Sequence, residues 1–483
     1  MVEQIDMRHD HDRGASEARL DHLACGRRDA LRLGALGFGW LALQGIMAES
    51  ARAQSPAAPA TDPLAARAGH HPARAKRVIF LNMSGAPSHV DTFDHKPALR
   101  RDDGKTISGQ FRQGAKLLAS PWEFQASGRS GLMISTLLPQ LAKQADKLCL
   151  LRGMQTDVPA HPQAQMQLHT GSFQFVRPSL GAWTLYGLGT ANRDLPGFVT
   201  INPPGGSAQH HGSAFLPATF QGMPVGGAAR AGRAAAEPVA NTSNARLSRD
   251  AQRRQLDLLQ QLNQEQKKRE RGDDEVEGVI ESYELAFRMQ SELPALLDLS
   301  KEQRSTLDAY GIGGEDTDAF GRQCLMARHL SEAGVRFVQI HQGGWDHHRN
   351  LRNDLAESCR KIDQPIAALL ADLEQRGLLA ETLVVWSGEF GRTPYAQGVD
   401  GRDHNHKGFT AWMAGGGVKG GHAHGATDEH GIEAVEGRMR IHDLHATILH
   451  ILGLDHERLT YNHAGRDFRL TDVHGNVARE ILA

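Results

Sequence analysis

The sequence predicts an α/β fold built on one large, mostly parallel sheet sandwiched by helices. Two observations lead there. Apolar runs at residues 77–82, 147–151, 335–340 and 382–387 are short and bounded by charge or by Gly, Pro and Ser, as buried parallel strands are. The last two each follow a segment with helical apolar spacing, and strands alternating with helices give a parallel sheet covered on both faces.

At 483 residues the chain is long enough to bury a sizeable core. Lys+Arg number 54 and Asp+Glu 56, a formal charge of -2, so no global field favours nucleic acid or a charged membrane surface, and no nucleic-acid partner is expected. The unusual count is 26 histidines, because imidazole is the commonest metal ligand and a proton-transfer group.

From the N-terminus, Arg27 and Arg28 precede an apolar, glycine-rich stretch over residues 31–47. Ala51-Arg52-Ala53 then has the small-residue form of a cleavage site. Residues 1–53 therefore read as a twin-arginine export signal, with the twin-arginine export machinery as partner and the periplasm or the exterior as destination. The stretch falls short of the roughly 20 residues of a spanning helix and is broken by glycines, so no stable membrane span is expected. Residues 54–75, rich in Ala and Pro, read as a flexible linker before a domain over 76–483. Inside that domain, residues 205–244 read as irregular loop. Residues 246–300 read as helices with a solvated charged face, making a loop and helical insertion over about 205–310. Cys25, Cys149, Cys324 and Cys359 have neither CxxC spacing nor, after cleavage, even pairing, so neither a zinc knuckle nor a disulfide framework is expected.

In open α/β sheets, ligands collect beyond the carboxyl ends of the strands. After the first run stand Ser88, His89, Asp91 and Asp94; after 335–340 stand His341, Asp346, His347 and His348; after 382–387 comes Glu389; and Asp403, His404 and His406 lie on the following glycine-bordered loop. One Asp-His pair is ordinarily structural, whereas three such groups at successive strand ends point to a metal. Mixed carboxylate and imidazole sets favour zinc, manganese or iron over calcium. Two ions about 4 Å apart would clamp both oxygens of a reacting ester. Ser88 and His89 read either as site residues or as a helix cap. Arg392 reads either as a bidentate clamp for a sulfate or phosphate oxygen or as the buried partner of Glu389 or Asp403. Residues 415–417, all glycine, lack the Lys-Ser/Thr of a phosphate loop and read as a tight turn. His442, Asp443 and His445 sit in a helical pattern and read as structural.

Met83-Ser84-Gly85-Ala86-Pro87-Ser88-His89-Val90-Asp91-Thr92-Phe93-Asp94, the segment 343–348, Glu389-Phe390-Gly391-Arg392-Thr393-Pro394 and the segment 441–453 together resemble an exported bacterial family known only as domain of unknown function 1501. That family is similar to sulfatases, within the alkaline phosphatase superfamily. The resemblance covers nearly everything after Lys76. It implies an alkaline phosphatase-like sheet and a one- or two-metal site for hydrolysing sulfate or phosphate esters, with zinc, manganese or calcium as the ion. By position, Asp346 with His348 is similar to the Asp and His holding one metal. Glu389 takes the place of an Asp, with Phe390 in the slot of a metal-binding His; His404 or His406 resembles the later histidine, and Asp91 the carboxylate after the first strand. Sulfatases carry a Cys or Ser nucleophile at the start of a helix that ends in Thr-Gly; here His161 fills that slot ahead of Thr170-Gly171, and Gln165 replaces the motif's Arg.

The expectation is thus an exported metal-dependent hydrolase acting on a sulfated or phosphorylated small molecule or glycan. Asp91, Asp346, His348, Glu389, His404 and His406 would hold the metal, His161 or His89 would move protons or attack, and Arg392 would steady the anion. The alternative is a non-catalytic, sulfatase-like binding or structural protein of the cell envelope, and a weaker third is an isomerase or mutase.

Overall fold

A computed structural model describes residues 62–106, 114–204, 208–226, 247–269, 284–285, 287–289 and 292–483. The export signal, the first part of the linker and much of the insertion lie outside them. From residue 62 onward the expected linker is laid against the fold: the amide of Arg67 bonds Leu188, those of His70 and His71 bond Gly453, and those of Arg74 and Ala75 bond Ile451. The fold therefore starts ahead of Lys76, because these backbone groups find partners there.

Among the described residues the main sheet has nine strands: β1 (Arg77–Met83), β2 (Leu148–Gln155), β3 (Phe198–Ile201), β4 (Met223–Val225), β5 (Phe337–Gln342), β6 (Thr382–Ser387), β9 (Phe409–Gly415), β10 (His422–His424) and β11 (Met439–Arg440). β7 (Gly391–Gln397) and β8 (Gly401–Asn405) form a separate antiparallel hairpin. The order is β10-β2-β9-β6-β1-β5-β3-β4, with β11 also on β2. β9 runs antiparallel to both of its neighbours, and every other pair in the sheet is parallel. All four apolar runs of the sequence are strands here.

The helices are α1 (His89–Thr92), α2 (His161–Thr170), α3 (Leu180–Leu188), α4 (Arg249–Arg269), α5 (Asp318–Glu332), α6 (Leu351–Gln375) and α7 (Ile441–Ile451), with α5 and α6 on one face of the sheet and α3 and α7 on the other. Strand side chains alternate in direction, so β1 feeds two cores at once. Ile79 and Leu81 join Val338, Ile340, Val384 and Trp386 under Phe320 and Leu325 of α5 and Leu355 and Ile362 of α6. Val78 and Phe80 join Phe337, Leu383 and Val385 under Trp183 of α3 and Leu444 and Ile448 of α7. With each such side chain worth about 1.5–3 kcal/mol when buried, the two cores are the main anchor of the sheet. Residues 415–417 have φ of 70°, 52° and 76°, so this glycine run is a tight turn after β9.

The topology brings the chemistry to one edge. Asn82, at the end of β1, is in register with His341 of β5 and Ser387 of β6, so the loops after these three strands meet. Two glycines let them touch. Gly85 has φ +112°, and a Cβ there would sit 2.7 Å from the Asp346 nitrogen; a Cβ on Gly401 would sit 1.8 Å from the His348 carbonyl oxygen.

Below that edge, Asp91 is fully buried and receives both Nε and Nη2 of Arg402, at 2.6 and 3.0 Å, and the Ser88 hydroxyl at 2.5 Å. This pair fastens α1 to β8. Removing one partner of a buried ion pair strands the other charge and typically costs about 3–5 kcal/mol. Arg402→Met is therefore expected to lower the unfolding free energy by about that amount in urea titrations, with Asp91→Leu/Arg402→Met recovering most of the loss.

Candidate metal centre

α2 starts at His161, with Pro162 in its first turn, and buries Gln165 and His169 on one side and Gln167 on the opposite one. A helix hides amides and imidazoles only where partners await them. Around His161, the loop after β5 supplies Asp346 and His348, and β8 supplies His404. The ring Nε2 atoms of His161, His348 and His404 lie 3.2, 2.9 and 3.5 Å from Asp346 Oδ1. Those of His348 and His404 are 2.9 Å apart, and one donor atom from each of the four residues lies within 4.8 Å of the others.

The far side of each ring fixes its tautomer. His161 Nδ1 is 2.5 Å from Glu389 Oε1, His404 Nδ1 is 2.7 Å from the Pro159 carbonyl, and His348 Nδ1 contacts Gln397 Oε1. Each of these acceptors requires an N–H at Nδ1, which leaves the three Nε2 lone pairs aimed at one volume beside a carboxylate. His161 Nε2 is buried with no hydrogen bond. Lone pairs converging in this way repel unless a cation stands between them, and imidazole rings anchored through their other nitrogen are the usual form of metal-binding histidine. The residues fit a divalent ion.

Asp346 is kept charged. Burial pushes its carboxyl up, but the Arg392 hydrogen bond of 2.5 Å and the charge of that guanidinium outweigh it, with smaller help from His161 and His348, bringing it down to about 2. Burial pulls His161 down, and the hydrogen bond and charge of Glu389, with the charge of Asp346, more than reverse this and raise it. Burial holds His404 below its ordinary value.

Four residues expected at a metal or catalytic site stand elsewhere. Asp91 is neutralised by Arg402. His89 is buried with Nε2 held 2.9 Å from the Gly431 carbonyl. His406 follows β8 and lines a separate cleft with Asp157, Lys407 and Arg440. Glu389 is fully buried one layer behind the donors, its oxygens receiving the Gly85 amide at 3.0 Å, the Gln165 side chain at 2.7 Å and His161. Arg392 is a buried partner, of Asp346 rather than of Glu389 or Asp403. Its other N–H groups go to the carbonyls of Ala86, Arg402, Gly85 and Trp345 or face His348, leaving none for an incoming anion. Phe390 packs its ring 4.8 Å from that of His161 and 4.7 Å from that of His404, so it braces two histidines. Gln397, the Pro159 carbonyl and the Gly85 amide carried no signal in the sequence. Gln165 did, through the resemblance, which implies an arginine at its position.

In the metal-free protein the folded His161 value lies above the unfolded 6.5, so its pairing with Glu389 stabilises fully below about pH 6.5 and fades as pH rises through the folded value. Histidine NMR titrations are expected to place His161 above 6.5 in the native chain and lower in Glu389→Gln; identical midpoints would remove Glu389 as the cause.

No curated protein matches this chain. Among solved structures it is similar to the lipoteichoic acid synthase LtaP from Listeria monocytogenes, at 10% identity over 81% of this chain and 76% of that one, with a TM-score of 0.33. It is also similar to the PsFucS1 sulfatase from Pseudoalteromonas sp., at 12% identity over 80% and 69%, TM-score 0.35. A third is the C-terminal periplasmic domain of EcEptC from Escherichia coli in complex with zinc, at 9% identity over 83% and 88%, TM-score 0.35. The family model for the protein of unknown function DUF1501 matches residues 75–482, and the chain belongs to that family.

Proposed function

We propose that this chain is an exported, metal-dependent hydrolase of sulfate or phosphate esters, its ion held by His161, Asp346, His348 and His404. The observation that carries this reading is the convergence of three imidazole Nε2 atoms on the Asp346 carboxylate, each ring anchored behind by a separate acceptor. A divalent ion held by these four residues would supply Lewis-acid polarisation of an anionic ester oxygen and would make nearby water more acidic.

The protein's own groups prepare the site. Arg392 keeps Asp346 ionised and oriented, and Glu389 keeps the His161 lone pair facing inward. Asp346 and His348 have side chains 47% and 32% exposed, so substrate and water reach the donors. Gln397 and the Pro159 carbonyl hold His348 and His404 against the hairpin and the α2 approach. With imidazole rather than a hydroxyl or thiol at the start of α2, water is the nucleophile in this reading, and no covalent ester forms on the chain. Export rests on Arg27-Arg28 and the Ala51-Arg52-Ala53 cleavage pattern. A sulfated or phosphorylated small molecule or glycan is the substrate class that suits the charge of the site.

Purified protein loaded with zinc or manganese is expected to hydrolyse aryl phosphates or aryl sulfates, to lose turnover to a chelator and to regain it when the ion is returned. Glu389→Gln, which removes an outer partner, should cost about 10–100-fold in metal affinity or activity, and His348→Ala, which removes a donor, should cost more. A folded, metal-loaded protein without turnover on either ester class would contradict the hydrolase reading.

A further inference from the structure

Behind α2 lies a second group of histidines that the proposed hydrolysis does not use. His169 comes from the last turn of α2, His210 from the segment before β4, and His341 from β5; one ring nitrogen from each lies within 4.8 Å of the others. All three are at least nine-tenths buried, at 2%, 9% and 3% exposed. Their rings are 5.0, 5.3 and 5.9 Å apart, centroid to centroid. The Asn82 side-chain nitrogen stands 3.1 Å from His169 Nε2 and 3.0 Å from His341 Nδ1, and donates to Gln165 at 2.9 Å.

As it stands this cluster is only partly satisfied: His341 Nε2 meets the Gln339 side-chain nitrogen at 2.6 Å, but the other groups compete for too few partners. An amide nitrogen has two hydrogens, and one of those on Asn82 goes to Gln165, so one remains for two imidazole nitrogens. The Asn82 carbonyl oxygen and His210 Nδ1 are buried with no hydrogen-bond partner, and His211, the next residue, is buried with neither ring nitrogen bonded. Buried polar groups are rarely left so, and each costs about 1–3 kcal/mol when they are. Burial holds all three rings well towards the neutral form, His210 at about 4, and neutral imidazole is the form with a free lone pair. Among the described residues no carboxylate bonds any of the three.

We propose that His169, His210 and His341 form a second, buried metal site for a transition ion of the zinc class. Three imidazoles without a carboxylate suit zinc or its borderline neighbours and not magnesium or calcium, which seek oxygen. The site shares no donor with the cluster around Asp346. It is joined to it through Gln165, which accepts from Asn82 and donates to Glu389, the anchor of His161. An ion there would tie α2 to β5 and hold Gln165 in place, making its role one of positioning.

The test is zinc content per chain after stripping and reloading, measured on the native chain and on His348→Ala, His341→Gln and His210→Gln. Two ions are expected in the native chain and one in each variant. One ion in the native chain, kept in His341→Gln and lost in His348→Ala, would overturn the second site while leaving the first. One ion lost only in His341→Gln would support the second site and remove the first. X-ray absorption on zinc-loaded His348→Ala, which leaves the second site intact even where its own variants misfold, is expected to show imidazole nitrogens at about 2.0–2.1 Å. An His348→Ala protein that takes up no zinc, or holds it by oxygen alone, would overturn the proposal.

Discussion

Glu389 is a fully buried carboxylate at the end of β6, and its two oxygens hold three parts of the molecule together: the turn after β1 through the Gly85 amide, α2 through Gln165, and the donor cluster through His161. A buried charge is tolerated only when its lone pairs are used, and here they are used by the groups that must be aligned. The strand order makes this arrangement available. β6 and β5 flank β1 in parallel, so the loops after all three reach the same edge, and Glu389 has only to bridge them.

Close backbone approach is the second condition. Gly85 lets the turn after β1 press on the Trp345-Asp346 peptide, and its carbonyl accepts from Arg392, which in turn holds Asp346. Gly401 lets β8 press on His348, bringing His404 beside it. The donors are thus set by backbone contacts beneath them and by acceptors behind them, with two ion pairs in different roles: Arg392 with the half-exposed Asp346 faces the site, and the fully buried pair of Arg402 with Asp91 locks α1 under it.

Much of this was legible in the sequence because it is periodic or local. The apolar runs of β1, β2, β5 and β6 announce buried parallel strands, and Asp346, His348 and His404 follow strand ends, where ligands gather. His161 was singled out only through the resemblance, which implies a hydroxyl or thiol at that position. What was not legible depends on pairing across long separations. Asp91 and Glu389 look like any carboxylate after a strand, and only the fold shows that Arg402, 311 residues away from Asp91, takes both oxygens of one, while Gly85 and Gln165 take those of the other. Arg392 is read correctly as a buried partner only once Asp346 is seen beside it. The Pro159 carbonyl and Gln397 are acceptors with no motif, and the His169, His210 and His341 group joins residues from three separate elements.

Anomalous diffraction at the zinc edge, from crystals grown with zinc, measures whether His161, Asp346, His348 and His404 hold one ion through three Nε2 atoms and a carboxylate oxygen. A strong peak is expected between Asp346 and the three rings, each ring still bonded behind through Nδ1 to Glu389, Gln397 or Pro159. A well-ordered site with no peak there at saturating zinc, or with the rings turned so that Nδ1 faces inward, would contradict it.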